Sequence, residues 1–385
     1  MLFTSESVSE GHPDKMCDQI ADAILDAHLS QDPTAKVACE VVCCTGMVLI
    51  FGEISSKASG IDYQKIARDV IKDIGYDDAK MGFDYKTCSI MVNLVSQASE
   101  IASGVHVDRE ELCAGDQGLM FGYATNESEE LMPVSLIYAR NINLLLHKMR
   151  RHGVHCWIRP DSKTQVTVEY DDETAPEEGT MKEASPSGAH RKPVKVHTVV
   201  VSVQHSPDVT LDYVRQIVRD EVVKKVIPED MLDDDTIYHI NPAGSFVMGG
   251  PFCDSGLTGR KIIVDTYGGG GAHGGGSFSG KDPSKVDRSG AYAARWVAKS
   301  LVKSKLCDRC LVQISYAIGV AKPVSISVMS YGTGKINDEG LAGIVKQNFD
   351  LRPAKIIEQL KLDKPIYRET SKNGHFGHPQ FTWEQ

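Results

Sequence analysis

The sequence has 385 residues, of which 41% are hydrophobic and 24% are charged, and its formal net charge at pH 7 is −10. This length is enough for two or three domains, and the composition is that of an ordinary soluble globular protein. The negative charge argues against a general nucleic-acid or membrane-surface binder, so an anionic substrate would need a local cationic site.

Other features of the sequence predict a cytoplasmic protein. No apolar run reaches the ~18 residues of a transmembrane helix, and Met1 leads into the polar stretch TSESVSEGHPDK in place of a secretory signal. The ten cysteines are scattered along the chain, which predicts reduced thiols. Cys307-x-x-Cys310 is half of a zinc-binding pattern, and since no second pair completes it, we expect neither metal nor redox function there.

The first predicted element is a helix over residues 13–29. Pro13 suits the first helical turn, and apolar residues follow at helical spacing. His12, Asp14 and Lys15 would lie at the helix N-terminus, where free N–H groups favour anions. Asp14 could hold a metal ion there, and His12 could face a phosphate. Taken alone, however, the segment favours a capped surface helix. Its solvated face would comprise Asp14, Asp18, Asp22 and Asp26.

Further along, helices and strands recur without the regular alternation of a doubly wound sheet, and an α+β class with several small sheets fits better. Helical patterns cover residues 63–74, 133–152, 211–226, 289–305, 341–349 and 353–360. Strand patterns cover residues 36–54 (a hairpin turning near Thr45-Gly46), 89–95, 157–170, 197–204, 237–241, 261–267, 311–318 and 324–330. The basic end of the helix at 133–152 suits its dipole, and the aromatic tail is expected to pack on the body.

Polar residues in and between these elements are candidates for a site. Glu40 and Glu53 are carboxylates in the apolar hairpin; each could point to solvent, or, if buried, would need a cation or a donor. Residues 98–111 are expected to form a mobile polar segment. Residues 114–122 form an acidic turn bounded by glycines, and residues 171–192 are expected to be a long surface loop.

The stretch at residues 261–289 is the strongest candidate for a binding site. Seven glycines lie between Gly268 and Gly276, and Lys281, Lys285 and Asp287 follow. Glycines let the backbone approach a ligand closely, and successive free N–H groups can hold an anion. Two lysines and a carboxylate after such a loop suggest a polyphosphate with a divalent cation. A flexible surface loop is the alternative for a Gly-rich stretch taken alone.

Two familiar phosphate motifs are rejected for this stretch. Gly269-x-Gly271-x-x-Gly274 has the dinucleotide-binding spacing, but residues 275–284 are too rich in Gly, Ser and Pro to open the helix that this motif needs. Gly275-x-x-x-x-Gly280-Lys281 is nearly a P-loop, but Asp282 stands where Ser or Thr should contact magnesium.

The candidate polar residues lie mostly in Gly- and Pro-rich turns at the ends of strands and helices, where sites tend to be built. The basic candidates are His12, Lys15, Lys163, Arg260, Lys261, Lys281 and Lys285. The acidic candidates are Asp14, Glu40, Glu53, Asp116, Asp161, Asp254 and Asp287. Such a set suits stabilisation of a polyphosphate more than proton transfer. The residues alone therefore predict a magnesium-dependent enzyme acting on a nucleoside triphosphate, and they leave the co-substrate open.

Several long motifs resemble those of the S-adenosylmethionine synthetase family. They are GHPDK at 11–15, AGDQGLMFGYATNE at 114–127, RPDSKTQVT at 159–167, GLTGRKIIVDTYGG at 256–269 and HGGGSFSGKDPSKVDRS at 273–289. The likeness covers essentially the whole chain. It implies three βαββαβ-type domains in a pseudo-threefold arrangement, here at residues 1–100, 113–246 and 247–385. The implied reaction condenses ATP, L-methionine and water into S-adenosylmethionine, phosphate and pyrophosphate.

The resemblance also implies roles for the residues at matching positions. The catalytic positions correspond to His12, Lys163, Arg260 and Lys281. The ATP-binding positions correspond to His12, Lys15, Asp161, Lys163, Ser245, Phe246, Asp254, Arg260, Lys261, Lys281 and Lys285. The methionine-binding positions correspond to Glu53, Gln97, Asp116, Asp254, Lys285 and Ile318. Two Mg²⁺ ions per site would be held by Asp14 and Asp287, and one K⁺ ion by Glu40.

The family likeness further implies homodimers with shared active sites, often paired into tetramers, and a mobile loop at residues 98–111. Ser245 departs from the family pattern, since an arginine commonly precedes the phenylalanine. Gly270 stands where relatives often have Trp or Met, and the acidic loop at 172–190 is longer than usual. A small-molecule kinase and a non-catalytic nucleotide-binding subunit are the rival functions. The intact set of charged residues argues against the second.

Overall fold

The computed structural model of the chain describes residues 1–96, 112–172 and 191–385. Gln97, the predicted mobile segment at 98–111 and residues 173–190 of the predicted surface loop lie outside the described part.

Strands and helices follow one another in mixed order through the described residues. The strands are β1 (Leu2–Val8), β2 (Lys36–Cys44), β3 (Met47–Ser55), β4 (Ser89–Val95), β5 (Gly118–Thr125), β6 (Ile158–Asp172), β7 (Arg191–His205), β8 (Ile237–Ile240), β9 (Gly256–Leu257), β10 (Arg309–Tyr316) and β11 (Ser325–Met329). The helices are α1 (Pro13–Leu29), α2 (Tyr63–Ile74), α3 (Val134–Arg151), α4 (Leu211–Ile217), α5 (Lys224–Val226), α6 (Ile262–Asp265), α7 (Val286–Lys303), α8 (Asp338–Asn348), α9 (Pro353–Gln359) and α10 (Tyr367–Thr370). A π-helical segment, Val218–Val223, joins α4 to α5.

The strands form three sheets, with strand orders β1-β6-β7-β8, β4-β3-β2-β9 and β11-β10-β5. This confirms the predicted α+β class with several small sheets. Each sheet takes one strand from a distant part of the sequence: β1 pairs antiparallel with β6, β5 with β10, and β9 with β2. These long-range pairings bring the ends of sequence-distant loops together.

Three long helices cover the sheets and bury most of the apolar residues. α1 packs on β2, α3 on β1 and β6, and α7 on β5 and β10. The strict alternation of buried and half-buried residues along β2 gives this strand one face for α1. Among the described helices, none has both the length and the apolar character that crossing a bilayer requires.

The strand prediction for residues 261–267 is wrong, because these residues form α6 and a turn. The N–H of Asp265 donates to the carbonyl of Lys261 at 2.8 Å, and the N–H of Gly268 donates to that of Ile263 at 2.9 Å. A short apolar run fits a strand or a buried helical turn equally well, so periodicity cannot decide between them.

The helix predicted at residues 289–305 begins earlier than expected. α7 starts at Val286 with Lys285 as its N-cap residue, so Asp287 lies in the first helical turn. Free N–H groups and the helix dipole favour a carboxylate at this position. The structure therefore places Asp287 on a rigid helix end and not on a loop.

The acidic face of α1 is buried, and the expectation of a solvated face is wrong. Asp14 is 1% exposed, and Asp18 and Asp22 are 0% exposed. Asp26 is less buried, and it accepts hydrogen bonds from the backbone N–H groups of Tyr367 and Arg368, both at 2.9 Å. The sequence pattern fits both an exposed and a buried acidic face, because the partners of these carboxylates lie far along the chain.

Asp22 and Arg288 form a fully buried ion pair on this face. The guanidinium donates to both carboxylate oxygens, at 2.7 and 2.8 Å, and both side chains are fully buried. Asp22 also accepts the N–H of Gly280 at 2.8 Å. Burial by itself would lower the pKa of Arg288, but Asp22, with smaller contributions from Tyr292 and Tyr367, outweighs burial and raises that pKa. The pair fixes α7 and the Gly-rich loop against α1.

The basic end of α3 has a function beyond complementing the helix dipole. Arg150 and Arg151 donate through their Nη2 atoms to the carboxylate of Glu10, at 3.1 and 3.0 Å. The Nδ1 atom of His147 lies 2.6 Å from the same oxygen. Glu10 is 3% exposed. The cluster therefore ties the end of α3 to the segment that enters α1.

The aromatic tail packs on the body, as predicted. Trp383 is fully buried and stacks on Tyr292, with ring centroids 3.8 Å apart. Glu384 accepts two hydrogen bonds of 2.9 Å from Arg295 of α7. The tail thus closes the apolar core beside α7.

We expect Asp22→Asn and Arg288→Met each to lower the free energy of unfolding by about 3–5 kcal/mol, because either change leaves a buried charge without its partner. Urea denaturation followed by circular dichroism measures the change. Lys65→Met, which removes an exposed ion pair with Asp69, is the control and should leave the midpoint unchanged. A midpoint for Arg288→Met equal to that of Lys65→Met would contradict the structural role of the buried pair.

Candidate active site

The edge of β2 brings two Gly-rich segments side by side. Val42 of β2 pairs with Leu257, and the N–H of Val41 donates to the hydroxyl of Thr258 at 2.7 Å. Nearby, the N–H of Cys39 donates to the carbonyl of Gly280 at 2.9 Å. Both segments therefore dock on the same edge of β2. Residues 279–281 dock before Glu40 in the strand, and residues 256–258 dock after it. Two groups of polar residues are assembled around this point.

The first group surrounds Asp14, at the start of α1. Its carboxylate accepts from Lys261 Nζ at 2.6 Å and from the backbone N–H of Leu257 at 2.9 Å, and Arg260 Nε lies 3.7 Å away. Lys261 is mostly buried, whereas nearly half of the Arg260 side chain is exposed. The structure thus brings together the predicted residues from the start of α1 and from the turn after β9.

His12 is the N-cap residue of α1, and its ring faces this group. Its Nδ1 accepts the N–H of Asp14 at 3.2 Å, so the proton of the neutral ring lies on Nε2. Burial, with the nearby charge of Lys261 and smaller effects of Lys163 and Lys15, lowers the pKa of His12 to about 3. His12 is therefore a neutral hydrogen-bond donor at physiological pH.

Lys163 and Asp161 reach the same region from β6, the strand that pairs with β1. Lys163 is half exposed and contacts Glu6 at 2.9 Å. Asp161 accepts the N–H of Gly250 at 2.8 Å, and burial raises its pKa to about 7, with Asp254 adding to the effect. Asp161 therefore anchors the turn that carries Asp254.

The second group lies where the Gly-rich stretch enters α7. Lys281 Nζ contacts the carboxylate of Asp287 at 2.6 Å, and both side chains are partly exposed. Burial raises the pKa of Glu40, while the charge of Lys281 opposes that shift. Lys285 is held at 2.6 Å by Asp282. Of this group, Lys281 is therefore the residue whose charge acts on Glu40, while Asp287 and Asp282 hold Lys281 and Lys285 in place.

Asp282 is a structural residue that the sequence reasoning missed. In the sequence, Asp282 stands out only as a mismatch to the P-loop pattern. It is almost fully buried, and its carboxylate accepts from the N–H groups of Val37 and Ser284, both at 2.9 Å, as well as from Lys285. It therefore joins β2 to the start of α7 and holds Lys285 in place. A carboxylate followed by Pro and Ser carries no pattern that would have predicted this.

Close approach explains the glycines at two positions of this stretch. At Gly276, a Cβ atom would lie 2.5 Å from the carboxylate of Asp287. Gly280 has φ +80°, and a Cβ there would lie 1.8 Å from the carbonyl of Cys39. A cavity of about 20 Å³ beside Asp287 is also lined by His273 of the Gly-rich loop. The loop is therefore packed against β2 and α7, which argues against the flexible-loop interpretation.

Other predicted residues lie at the margins of these groups. Ser245 and Asp254 are exposed, and Phe246 is half-buried. A Cβ at Gly249 would lie 2.8 Å from the Phe246 ring, so this ring covers the backbone of the turn that Asp161 anchors. The Nε2 atom of His205 accepts a hydrogen bond from the backbone N–H of Phe246 at 3.0 Å and so fixes the backbone of this residue.

Four predicted residues are not gathered into either group. Glu53, Asp116 and Ile318 are exposed, and Ile318 has 55% of its surface accessible. Lys15 is fully buried, where its ammonium contacts Asp18 and Asp265. This placement does not support a direct contact between Lys15 and a ligand. Gln97 lies outside the described residues.

The carboxylates of the two groups suit a metal ion that is bound partly by the protein and partly by the phosphates of a substrate. In the described ranges, no group of three or more His, Cys, Asp or Glu side chains forms a metal-binding cluster. Mg²⁺ is commonly bound by one or two carboxylates together with substrate phosphates. Asp14 and Asp287 each present a single carboxylate beside a lysine, and that arrangement fits such an ion.

The chain matches three successive family models. They are the S-adenosylmethionine synthetase N-terminal domain over residues 1–99, the central domain over residues 111–246 and the C-terminal domain over residues 248–385. A curated relative, the S-adenosylmethionine synthase of Sorangium cellulosum (strain So ce56), is 53% identical over 386 aligned residues. The alignment covers 100% of this chain and 87% of the relative.

We expect the imidazole of His12 to stay neutral from about pH 5 to pH 8, whereas an ordinary histidine takes up a proton near pH 6.5. The cause is its burial beside Lys261. Because the unfolded chain binds this proton and the folded chain does not, His12 also makes folding less favourable as the pH falls below about 6.5. NMR of the ring signal, assigned by its loss in His12→Asn, measures the titration. A midpoint near pH 6.5 would show that the site does not hold the ring neutral.

Proposed function

The chain belongs to the S-adenosylmethionine synthetase family, and on this premise we propose how its own residues carry out the reaction. The chain has the family's three-domain α+β fold and is a methionine adenosyltransferase. It condenses ATP and L-methionine to S-adenosylmethionine and then hydrolyses the bound tripolyphosphate to phosphate and pyrophosphate. The non-catalytic alternative is not favoured.

The chemistry determines which kinds of residue are needed. The lone pair of the methionine sulfur forms the S–C5′ bond, and the bond from C5′ to the triphosphate oxygen breaks with its electrons on that oxygen. No proton leaves the sulfur, so this step needs no general base. Negative charge grows on the departing triphosphate, and cations placed there stabilise the transition state more than the ground state.

The observation that carries the assignment is the pair of lysine–carboxylate contacts on the two sides of Glu40. Lys261 and Lys281, which contact Asp14 of α1 and Asp287 of α7, lie on segments that dock on the same edge of β2. We assign the triphosphate to the space beside both groups, where Lys261 and Lys281 would bind its oxygens. Arg260, Lys163 and Lys285 are the further phosphate-binding residues.

His12 has a different role from the lysines. Its Nε2–H is a neutral donor, and we assign it to the oxygen that departs from C5′. A neutral donor stabilises that oxygen as charge develops on it, and the backbone N–H of Asp14 fixes the ring orientation. Burial, together with the charge of Lys261, lowers the pKa of the ring and keeps it neutral, and the hydrogen bond to Nδ1 leaves Nε2–H as its donor.

Enzymes of this family require metal ions, and we assign their protein ligands. Asp14 and Asp287 would each contribute a carboxylate to one of two Mg²⁺ ions, and Glu40 would hold one K⁺ ion. When bound, these ions neutralise charge on the triphosphate. Burial raises the pKa of the half-buried Glu40, because it disfavours the charged carboxylate. A bound K⁺ ion would compensate for this cost.

The remaining assignments concern the nucleoside and methionine. Phe246 would stack on the adenine, with Ser245 and Asp161 as the further ATP-binding assignments; Lys15, buried between Asp18 and Asp265, is not assigned a direct contact. The methionine-binding residues would be Glu53, Gln97, Asp116, Asp254, Lys285 and Ile318. Of these, Glu53, Asp116 and Ile318 are exposed in the single chain, which fits sites completed by a second subunit in a homodimer, alone or paired into tetramers.

The domain boundaries at residues 100, 113 and 246 remain a prediction, since each sheet combines strands from different predicted domains.

We also propose a cytoplasmic location. The proposal rests on the ten cysteines scattered along the chain, since reduced thiols are the rule in the cytosol.

We expect Lys281→Met and Asp287→Asn each to lower turnover at least about 100-fold, because the first removes a cation beside the leaving triphosphate and the second removes the charge of a carboxylate assigned to Mg²⁺. Mass spectrometry of reactions with ATP, methionine, Mg²⁺ and K⁺ measures S-adenosylmethionine, phosphate and pyrophosphate together. Lys195→Met is the matched control, because it breaks an exposed lysine–aspartate contact of 2.7 Å on β7 and should leave turnover unchanged. Near-normal turnover in Lys281→Met or Asp287→Asn would remove that residue from the catalytic set.

We expect Glu40→Gln to abolish the activation of the enzyme by K⁺, because the amide lacks the charge that would hold the ion. Turnover is measured at constant ionic strength as K⁺ replaces a large organic cation, with Mg²⁺ held constant. The wild-type enzyme should gain activity with K⁺, and the variant should not. An unchanged K⁺ response in Glu40→Gln would place the K⁺ site elsewhere.

A further inference from the structure

We propose that Tyr76 is a positioning residue that orients His12 through the carbonyl of Gly11. The inference rests on the proposed role of His12 at the leaving oxygen. Tyr76 was not among the residues singled out from the sequence, and it lies outside both polar groups of the site.

Tyr76 is fully buried and lies directly after α2. Its hydroxyl donates to the carbonyl of Gly11 at 2.5 Å. Gly11 immediately precedes His12, so the hydrogen bond acts on the peptide that carries the imidazole. The backbone around Tyr76 is itself fixed, because its N–H donates to Ile71 at 3.2 Å and its carbonyl accepts from Tyr85 at 3.0 Å.

The phenol of Tyr76 also fills the space between two loops of the site. Gly250 has φ +61°, and a Cβ atom there would lie 2.2 Å from the Tyr76 hydroxyl oxygen. The N–H of Gly250 donates to Asp161 at 2.8 Å. Tyr76 therefore touches the turn that Asp161 anchors on one side and the segment that carries His12 on the other.

The rest of the segment before His12 is anchored by other groups. The hydroxyl of Ser9 donates to the carbonyl of Pro160 at 2.8 Å, and the Gln19 amide donates to the carbonyl of Glu10 at 2.8 Å. The Glu10 carboxylate is held by the end of α3. The hydrogen bond from Tyr76 completes this series at Gly11, the last residue before the imidazole.

Removing only the hydroxyl of Tyr76 would leave the ring packing in place. The Gly11–His12 peptide would then keep the hydrogen bond from the His12 N–H to the carbonyl of Ser9 at 3.1 Å but would lose the one on its carbonyl, so it could tilt and change the direction in which the imidazole points. A small displacement of a reacting group is enough to lower a rate strongly. Substrate binding, which depends on the lysines and on other loops, would change little. A purely structural role for this phenol would instead lower stability without a specific effect on turnover.

A double-mutant cycle with His12 separates these possibilities. The variants are Tyr76→Phe, His12→Asn and the double variant, and kcat and KM for ATP and methionine are measured for each. Tyr316→Phe is the matched control, because it removes another buried hydroxyl that donates to a backbone carbonyl, that of Leu351 at 2.6 Å. Urea denaturation of all variants reports stability separately.

We expect Tyr76→Phe to lower kcat about tenfold with KM values nearly unchanged, and His12→Asn to lower kcat about 100-fold. The double variant should be no slower than His12→Asn, because a residue that acts through His12 has no effect once His12 is gone. Tyr316→Phe should leave kcat unchanged.

A double variant about tenfold slower than His12→Asn would overturn the inference, since the two effects would then be independent. Equal kcat values for Tyr76→Phe and Tyr316→Phe would overturn it as well. Near-normal turnover in His12→Asn would reject the role assigned to His12 and, with it, the positioning role of Tyr76. That last result would leave the assignments of Lys281 and Asp287 untouched.

Discussion

Buried carboxylates on one face of α1 are the constraint on which the rest of the structure depends. Asp14, Asp18, Asp22 and Asp26 are spaced four residues apart and therefore lie in one stripe along the helix. A buried carboxylate without a partner is very costly. Each of these four carboxylates accepts hydrogen bonds from backbone N–H groups or binds a cationic side chain of residues 257–289 or 365–370. The need to satisfy them determines where the C-terminal part of the chain crosses the helix.

The same constraint shapes the active site. Near the N-terminus of α1, Asp14 meets Lys261; two turns later, Asp22 binds Arg288, the residue that follows Asp287. The helix therefore sets the separation of the two lysine–carboxylate contacts, and β2 aligns the loops that carry them. In this way a chain with a net charge of −10 brings Lys261 and Lys281 to one edge of β2. Buried carboxylates hold some of its lysines in place, as Asp282 holds Lys285.

Much of the fold and many of the candidate residues could be predicted from local patterns. The hairpin of β2 and β3, the extent of α1 and the packing of the aromatic tail are all confirmed, because periodicity, capping and turn chemistry act over a few residues. Residues 261–267 were assigned to the wrong element, since a short apolar run is ambiguous. Lys15 was predicted to bind ATP from its motif, yet it is buried between two carboxylates.

By itself, the sequence determined the family, the order of most helices and strands, and the identity of the charged residues in the Gly-rich turns. Only the tertiary structure decided that the acidic face of α1 is buried, that Asp282 supports Lys285, and that Glu10 and Tyr76 hold the segment before His12. The reason is distance along the chain. Asp22 and Arg288 are 266 residues apart, and Asp14 and Lys261 are 247 apart. No local pattern can show whether an acidic side chain faces water or a partner from so far away.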